Sequence, residues 1–429
     1  MKRKFLFFAM LFVTVMLYAK SGFVQVKNCR FVLGKKNYYY VGTNFWYGPI
    51  LGSEGQGGNR IRLCKELDLM KACGINNLRI LVGSDGPRDM QRRLEPTLQI
   101  YPGVYNDTIL AGLDYLLSEM GKRKMLAVLY LNNSWDWSGG YSFYLEHAGC
   151  GRAPQQMDGF DAYNRYASKF ANNEKAHQLF YNYVKFIISR TNRYTRKKYV
   201  NDPTIMSWEI GNEPRAFSKE SIPGFEKWLR EASALIRSID KNHLICLGNE
   251  GSGGCENDES VFKYISSDSN IDYVTLHIWP YNAGWAHKDS IKQDLLKSCK
   301  NAKRYLNNHL LVCNQLKKPL VIEEFGYPRD GFSFSPKSSV TARNDFYQYM
   351  FQLVVSNASK RGLITGCNFW GWGGYGRPAH IWWKIGDDYL TDPATEQQGL
   401  NSVFSTDIST LKIIKNESDK LKRLSKIHL

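Results

Sequence analysis

Two short segments of the chain each carry an apolar run into a glutamate: "DPTIMSWEIGNEPR", Asp202 to Arg215, and "PLVIEEFG", Pro319 to Gly326. A carboxylate at the end of a buried strand is costly to desolvate unless it is paired or put to use. One such residue is ordinarily a salt-bridge partner or a helix cap. Two of them facing each other across one opening are suited to general acid and nucleophilic work on a glycosidic bond. Glu213 and Glu324 are the candidates, and strand alternation predicts that Glu323 points to the other side of its strand. Further polar residues close other apolar runs: Arg79, Asn133, Asn212 and His277.

The elements that position these groups are legible as eight short apolar runs. They are "YYYVGTNFW", "NLRILVG", "MLAVLYLNN", "TIMSWEIGNE", "HLICLGNEG", "YVTLHIW", "PLVIEEFG" and "ITGCNFWGWGG". Between them lie segments of helical period. In "RIRLCKELDLMKACG", for instance, Leu63, Leu67 and Met70 share a face and Gly74 can end the helix. "EKAHQLFYNYVKFIISRTNRY" and "GFEKWLREASALIRSID" behave alike. Buried strands alternating with helices predict an α/β protein, a (β/α)8 TIM barrel, whose chemistry sits at the C-terminal ends of the strands. No linker or repeat divides the chain, so a single catalytic domain over 20–429, with a C-terminal extension packed on it, is expected.

"DPTIMSWEIGNEPR" and "PLVIEEFG" resemble the acid/base and nucleophile motifs of glycoside hydrolase family 5. "GTNFWYG", "YLNNSWDWSGG", "HIWPYNAGW" and "GCNFWGWGG" resemble its β-mannanase branch, and the likeness runs from about Phe31 to about Gly376. The resemblance implies a retaining endo-β-1,4-mannanase with Glu213 as acid/base and Glu324 as nucleophile. It makes Arg79 the support that keeps Glu324 charged, Asn212 the partner of the sugar 2-hydroxyl, and His277 a neighbour of the acid/base. Trp279 stands where many relatives have Tyr, and an indole N–H can donate to Glu324 but cannot ionise. Trp370 corresponds to the tryptophan beneath the sugar at the cleavage point, and Arg215 to a leaving-side contact. The chemistry requires Glu213 to carry a proton while Glu324 is ionised.

Aromatic residues make up 14% of the chain and include 11 Trp, an excess that suits the apolar faces of sugar rings. Trp46, Trp135, Trp285 and Trp372, with Asn133, are therefore further candidates for substrate contact. Neither a cofactor nor a metal is expected: the nine cysteines form no C-x-x-C pair and histidines are few. The basic start and apolar run of "MKRKFLFFAMLFVTVMLYA" predict a signal peptide over 1–19, hence a secreted or periplasmic protein without a stable membrane span. Loss of that segment lowers the formal charge from +17 to +14. The remaining charge is spread out rather than gathered for nucleic acid, and strand-end glutamates would repel phosphate. The expected partner is thus a polysaccharide, and oligomeric state is left open. The same machinery also suits exo action releasing mannose or mannobiose, or cleavage of β-1,4-glucan. A non-catalytic sugar-binding barrel would be expected to lack one of the two carboxylates.

Overall fold

A computed structural model describes residues 22–86 and 92–426. All eight apolar runs form parallel strands. They are β1 (Tyr40–Asn44), β2 (Asn77–Leu81), β3 (Leu126–Tyr130), β4 (Ile205–Glu209), β5 (Leu244–Cys246), β6 (Val274–Ile278), β7 (Leu320–Phe325) and β8 (Ile364–Phe369). Each pairs with its neighbours in sequence, and β8 pairs with β1. Ladder pairing is absent only between β5 and β6 among the described residues. That seam is bridged by Asp272 N–H to Ile245 O at 2.9 Å and His277 N–H to Glu250 O at 3.2 Å. The result is a nearly closed (β/α)8 barrel.

Eight helices follow the strands in turn: α1 (Arg60–Ala72), α2 (Asp107–Lys122), α3 (Glu174–Ile188), α4 (Ile222–Ile239), α5 (Glu259–Ser266), α6 (Leu295–Leu316), α7 (Thr341–Ser359) and α8 (Ile408–Ser425). Their ends follow local chemistry. Asn59, Asn106, Asn173 and Asp258 each cap the helix that follows with a side-chain oxygen. The expected stripe of α1, Leu63, Leu67 and Met70, is fully buried, and Gly74 follows the helix at φ 79°. The last helix, α8, lies against α7 and β1, where it occupies the eighth place of the outer ring.

The floor of the barrel is plugged by an antiparallel sheet of three short strands, Val24–Lys27, Arg30–Leu33 and Lys36–Asn37. Val24 and Phe31 pack there on Tyr40, Val128, Met206, Leu244 and Val321 from the lower strands. The opposite end carries the long connections. The β3–α3 connection holds the short helices Gly140–Leu145 and Phe160–Ala167, and the β8–α8 connection covers 370–407. The predicted signal peptide lies outside the described residues. No helix among the described residues is long and apolar enough to cross a membrane, and all nine cysteines are free thiols.

Candidate active site

The C-terminal strand ends converge on a network built around Arg79. This arginine, on β2, is fully buried and lies over the Tyr130 ring at 4.6 Å. Its guanidinium grips Glu209 with two bonds of 2.9 and 2.5 Å. It also donates to Asn212 Oδ1 at 2.8 Å, Asn44 Oδ1 at 3.1 Å and Glu324 Oε1 at 2.5 Å. One rigid fork therefore ties strands β1, β2, β4 and β7 together and fixes one oxygen of Glu324. The other oxygen accepts from Trp279 Nε1 at 2.9 Å, the contact that an indole can make.

Glu213 follows β4 in a left-handed conformation, φ 48°. That strained geometry is held from both sides. Its N–H donates to Gly248 O at 3.0 Å, and its carbonyl accepts from Ser134 Oγ at 2.5 Å. Glycine is required at 248, since a Cβ there would strike Gly211 O and the Glu209 carboxylate. The Glu213 side chain accepts from Trp135 Nε1 at 2.6 Å and bonds His277 Nδ1 at 2.7 Å. His277 Nδ1 also lies 3.5 Å from Glu324 Oε2. Carboxyl oxygens of Glu213 and Glu324 come within 4.8 Å of each other around this imidazole.

The charge distribution differs from the expected one. Burial raises the Glu213 carboxyl, but the His277 hydrogen bond and charge, Arg215 and the Trp135 N–H outweigh it and hold it down to about 2. Burial opposes the charged form of His277, yet Glu324 and Glu213 raise the imidazole to about 9. The proton expected on Glu213 therefore resides on His277 in the resting protein. Glu324 is raised, chiefly by burial and further by Glu213, against the opposing pull of His277 and Arg79. Arg79 thus fixes the position of Glu324 without fully offsetting the cost of its desolvation.

Glu323 also departs from expectation. The β6–β7 register shifts between Leu276 and His277, so that Leu276 faces Ile322 while His277 faces Glu324. Glu323 is the extra residue of this bulge. It lies inside the barrel, 3.9 Å from Arg79 Nε, beside Cys246 and Tyr273. Burial first, then the charge of Glu209, raise it to about 8. Two triads bring metal-type ligand atoms within 4.8 Å, Glu209 with Cys246 and Glu323, and Glu213 with His277 and Glu324. In both, the Arg79 guanidinium and the His277 imidazolium already supply the positive charge that a metal would bring.

Several candidate contacts are placed elsewhere than expected. Trp46 is 4% exposed, donates to Thr391 O at 2.8 Å and packs against Trp137 and Tyr389. It anchors the β8–α8 connection and presents no free face to a sugar. Trp372 is fully buried and donates to Glu66 at 2.7 Å. Asn133, also fully buried, accepts from Asn212 Nδ2 at 3.2 Å and from the Trp135 backbone N–H at 3.1 Å, so it positions its neighbours. All three follow strands, but the chain turns them beneath the loops. Trp285 is half-buried against Tyr305. Trp370, 5% exposed, lies edge-on to Trp279 at 6.0 Å, the indole that bonds Glu324. Arg215 is ion-paired with Glu250 and lies 4.9 Å over the Trp135 ring.

Two carboxylates that the motifs do not single out border this cluster. Glu250, just beyond β5, is raised to about 7 by burial and by Glu213. Glu396, on the β8–α8 connection, is exposed to solvent. The protein crowded around it and the charges of Asp392, Glu324 and Glu213 push its carboxyl up. Glu250 ends an apolar run, a signal the sequence does carry. Glu396 sits in a stretch without periodicity.

Comparison with known proteins agrees with this geometry. The family described as GH family 5 beta-mannosidase-like matches residues 21–426. A mannan endo-1,4-beta-mannosidase 1 of Arabidopsis thaliana is 30% identical over 368 residues, covering 82% of each chain. The glycoside hydrolase family 5 mannosidase of Rhizomucor miehei superposes with a TM-score of 0.87 at 32% identity, over 95% of this chain and 99% of its own. The endo-1,4-beta-mannanase of the same organism shares the fold at a TM-score of 0.68 and 22% identity, over 94% of this chain and 99% of its own.

Proposed function

The chain belongs to glycoside hydrolase family 5, in its β-mannosidase-like group, and from that premise we propose that it hydrolyses β-1,4-linked mannan, glucomannan or galactomannan with retention of configuration. The observation that carries this reading is the approach of the Glu213 and Glu324 carboxyl oxygens to within 4.8 Å. Retaining pairs lie about 5 to 5.5 Å apart and inverting pairs about 6.5 to 9.5 Å, the latter leaving room for a water between carboxylate and sugar.

In this mechanism Glu213 and His277 act as one acid. As the glycosidic oxygen gains negative charge, the His277 proton moves across the 2.7 Å bond to Glu213, which hands it on to that oxygen, leaving a neutral imidazole and an ionised carboxylate. Glu324, aimed by Arg79 and Trp279, attacks the anomeric carbon and forms the glycosyl-enzyme. That step neutralises Glu324 and leaves Glu213 and His277 able to take a proton from the incoming water. Asn212, held by Arg79 and Asn133, is placed to bond the 2-hydroxyl, and Trp370 supports the sugar ring.

Internal cutting of the polymer is the reading that the plant relatives favour. A second reading, release of mannose or mannobiose from chain ends, is supported by Glu396, whose carboxyl feels the charges of Glu324 and Glu213, on a connection anchored through Trp46. The superposition on the Rhizomucor miehei mannosidase supports it too. The test is hydrolysis of mannan, glucomannan and cellulose by the wild type, Glu213→Gln and Glu324→Gln, with the first-formed anomer followed by NMR. Reduced mannohexaose separates the two cutting modes. We expect β-configured first products and loss of about three orders of magnitude or more in each variant on mannan. An α-configured first product, or wild-type rates in either variant, would sink the proposal. Export through the basic, apolar N-terminus belongs to the same reading, and the N-terminal mass of the secreted protein checks it.

A further inference from the structure

Glycoside cleavage needs a surface for the sugars that depart on the side of the acid/base, and Trp46, Trp135 and Trp372 do not provide one. Trp46 and Trp372 are buried. Trp135 is nearest to Glu213, but its N–H is committed to the carboxylate and Arg215 covers its ring at 4.9 Å. One ring farther out lies Phe160, edge-on to Trp135 with centroids 6.5 Å apart and 59% exposed.

The helix that presents Phe160 is tied to the acid/base. It is the first residue of helix Phe160–Ala167 and follows Gly159, whose φ of 150° turns the chain there. One turn on, Tyr163 is fully buried and its hydroxyl donates to Ser134 O at 2.5 Å. The Ser134 hydroxyl in turn donates to the Glu213 carbonyl at 2.5 Å. Two hydrogen bonds therefore join the helix that presents Phe160 to the backbone of the acid/base. An exposed phenyl ring at a helix start gains little from the core. Its exposed ring offers what a pyranose face requires: an apolar plane next to the indole over which the hydrogen-bonding Arg215 lies.

Resting on the mannoside reading above, we propose that Phe160 stacks the second sugar on the leaving side of the scissile bond, beyond the one met by Arg215. It is thereby a specificity-determining residue for the length of the departing chain. The test uses the full-length protein as wild type, Phe160→Ala and Phe160→Trp. Two substrate sets are compared: reduced mannohexaose, which fills the leaving side with sugars, and para-nitrophenyl β-manno-oligosaccharides, whose leaving group is nitrophenol.

For mannohexaose, Phe160→Ala should raise KM about 5- to 10-fold, the loss of one aromatic stacking contact, with kcat nearly unchanged. The nitrophenyl substrates should keep kcat/KM within about twofold, and Phe160→Trp should restore the mannohexaose KM. Equal effects on both sets, or an effect on neither, would overturn the inference while leaving the function intact. A wild type that cleaves no mannoside would end the functional reading and this inference with it.

Discussion

Replacing His277 with glutamine isolates the proton store of the site. Glutamine can keep an N–H near Glu213 but cannot carry a proton. In the wild type the Glu213–His277 pair gives up its proton only as the imidazole titrates, at about 9. Without the imidazole, that proton must sit on the Glu213 carboxyl. This group then loses its strongest charge-stabilising partner and keeps Arg215 and Trp135 against the cost of burial. Its value moves up from about 2 towards or above the ordinary 4.5, yet remains well below 9. The alkaline limb of kcat/KM should therefore fall by about 2 pH units or more, so that at pH 8 the variant loses about 10-fold or more relative to its own optimum. The acid limb should rise as well, because the His277 charge also favours the ionised form of Glu324. The pH profile narrows from both sides. Stability follows the same linkage. His277, raised from 6.5 to about 9, contributes stability fully below 6.5 and loses it as pH rises through 9. Glu213, lowered from 4.5 to about 2, contributes above 4.5 and loses it as pH falls through 2. The melting-temperature gap between the wild type and His277→Gln should be widest between pH 4.5 and 6.5 and close above 9. An alkaline limb within about half a unit of the wild type would refute the shared-proton reasoning.

Glu209→Gln removes the charged partner of a fully buried guanidinium, and urea unfolding should show a loss of about 3 to 5 kcal/mol. A loss under about 1 kcal/mol would mean that Asn212, Asn44 and Glu324 alone hold Arg79. Trp46→Phe deletes the hydrogen bond to Thr391 and should cost about 1 kcal/mol of stability while KM for mannan changes less than about twofold. A tenfold rise in KM would restore Trp46 to the sugar cleft.

The eight strands, the buried face of α1 and the strand-end placement of Glu213 and Glu324 were readable without coordinates. Each rests on a local signal: an apolar run such as "NLRILVG", a helical stripe such as Leu63, Leu67 and Met70, a carboxylate where an apolar run stops. Alternation failed at Glu323 because a bulge between β6 and β7 adds a residue to the strand, and bulges leave no periodic mark. Position after a strand placed Trp46 and Trp372 correctly along the chain, yet gave no measure of what covers them. Thr391 and Glu66, which hold these indoles, lie hundreds of residues away in sequence.

The linear chain by itself determined which residue types stand at the strand ends, since hydrophobic periodicity and strand length are properties of neighbours in sequence. Only the folded barrel decided where the proton rests, which aromatic rings remain open to solvent, and that Glu396 and Phe160 border the site at all. Those outcomes are set by desolvation and Coulomb energy, which depend on every group that folding brings within a few ångströms, however distant along the chain.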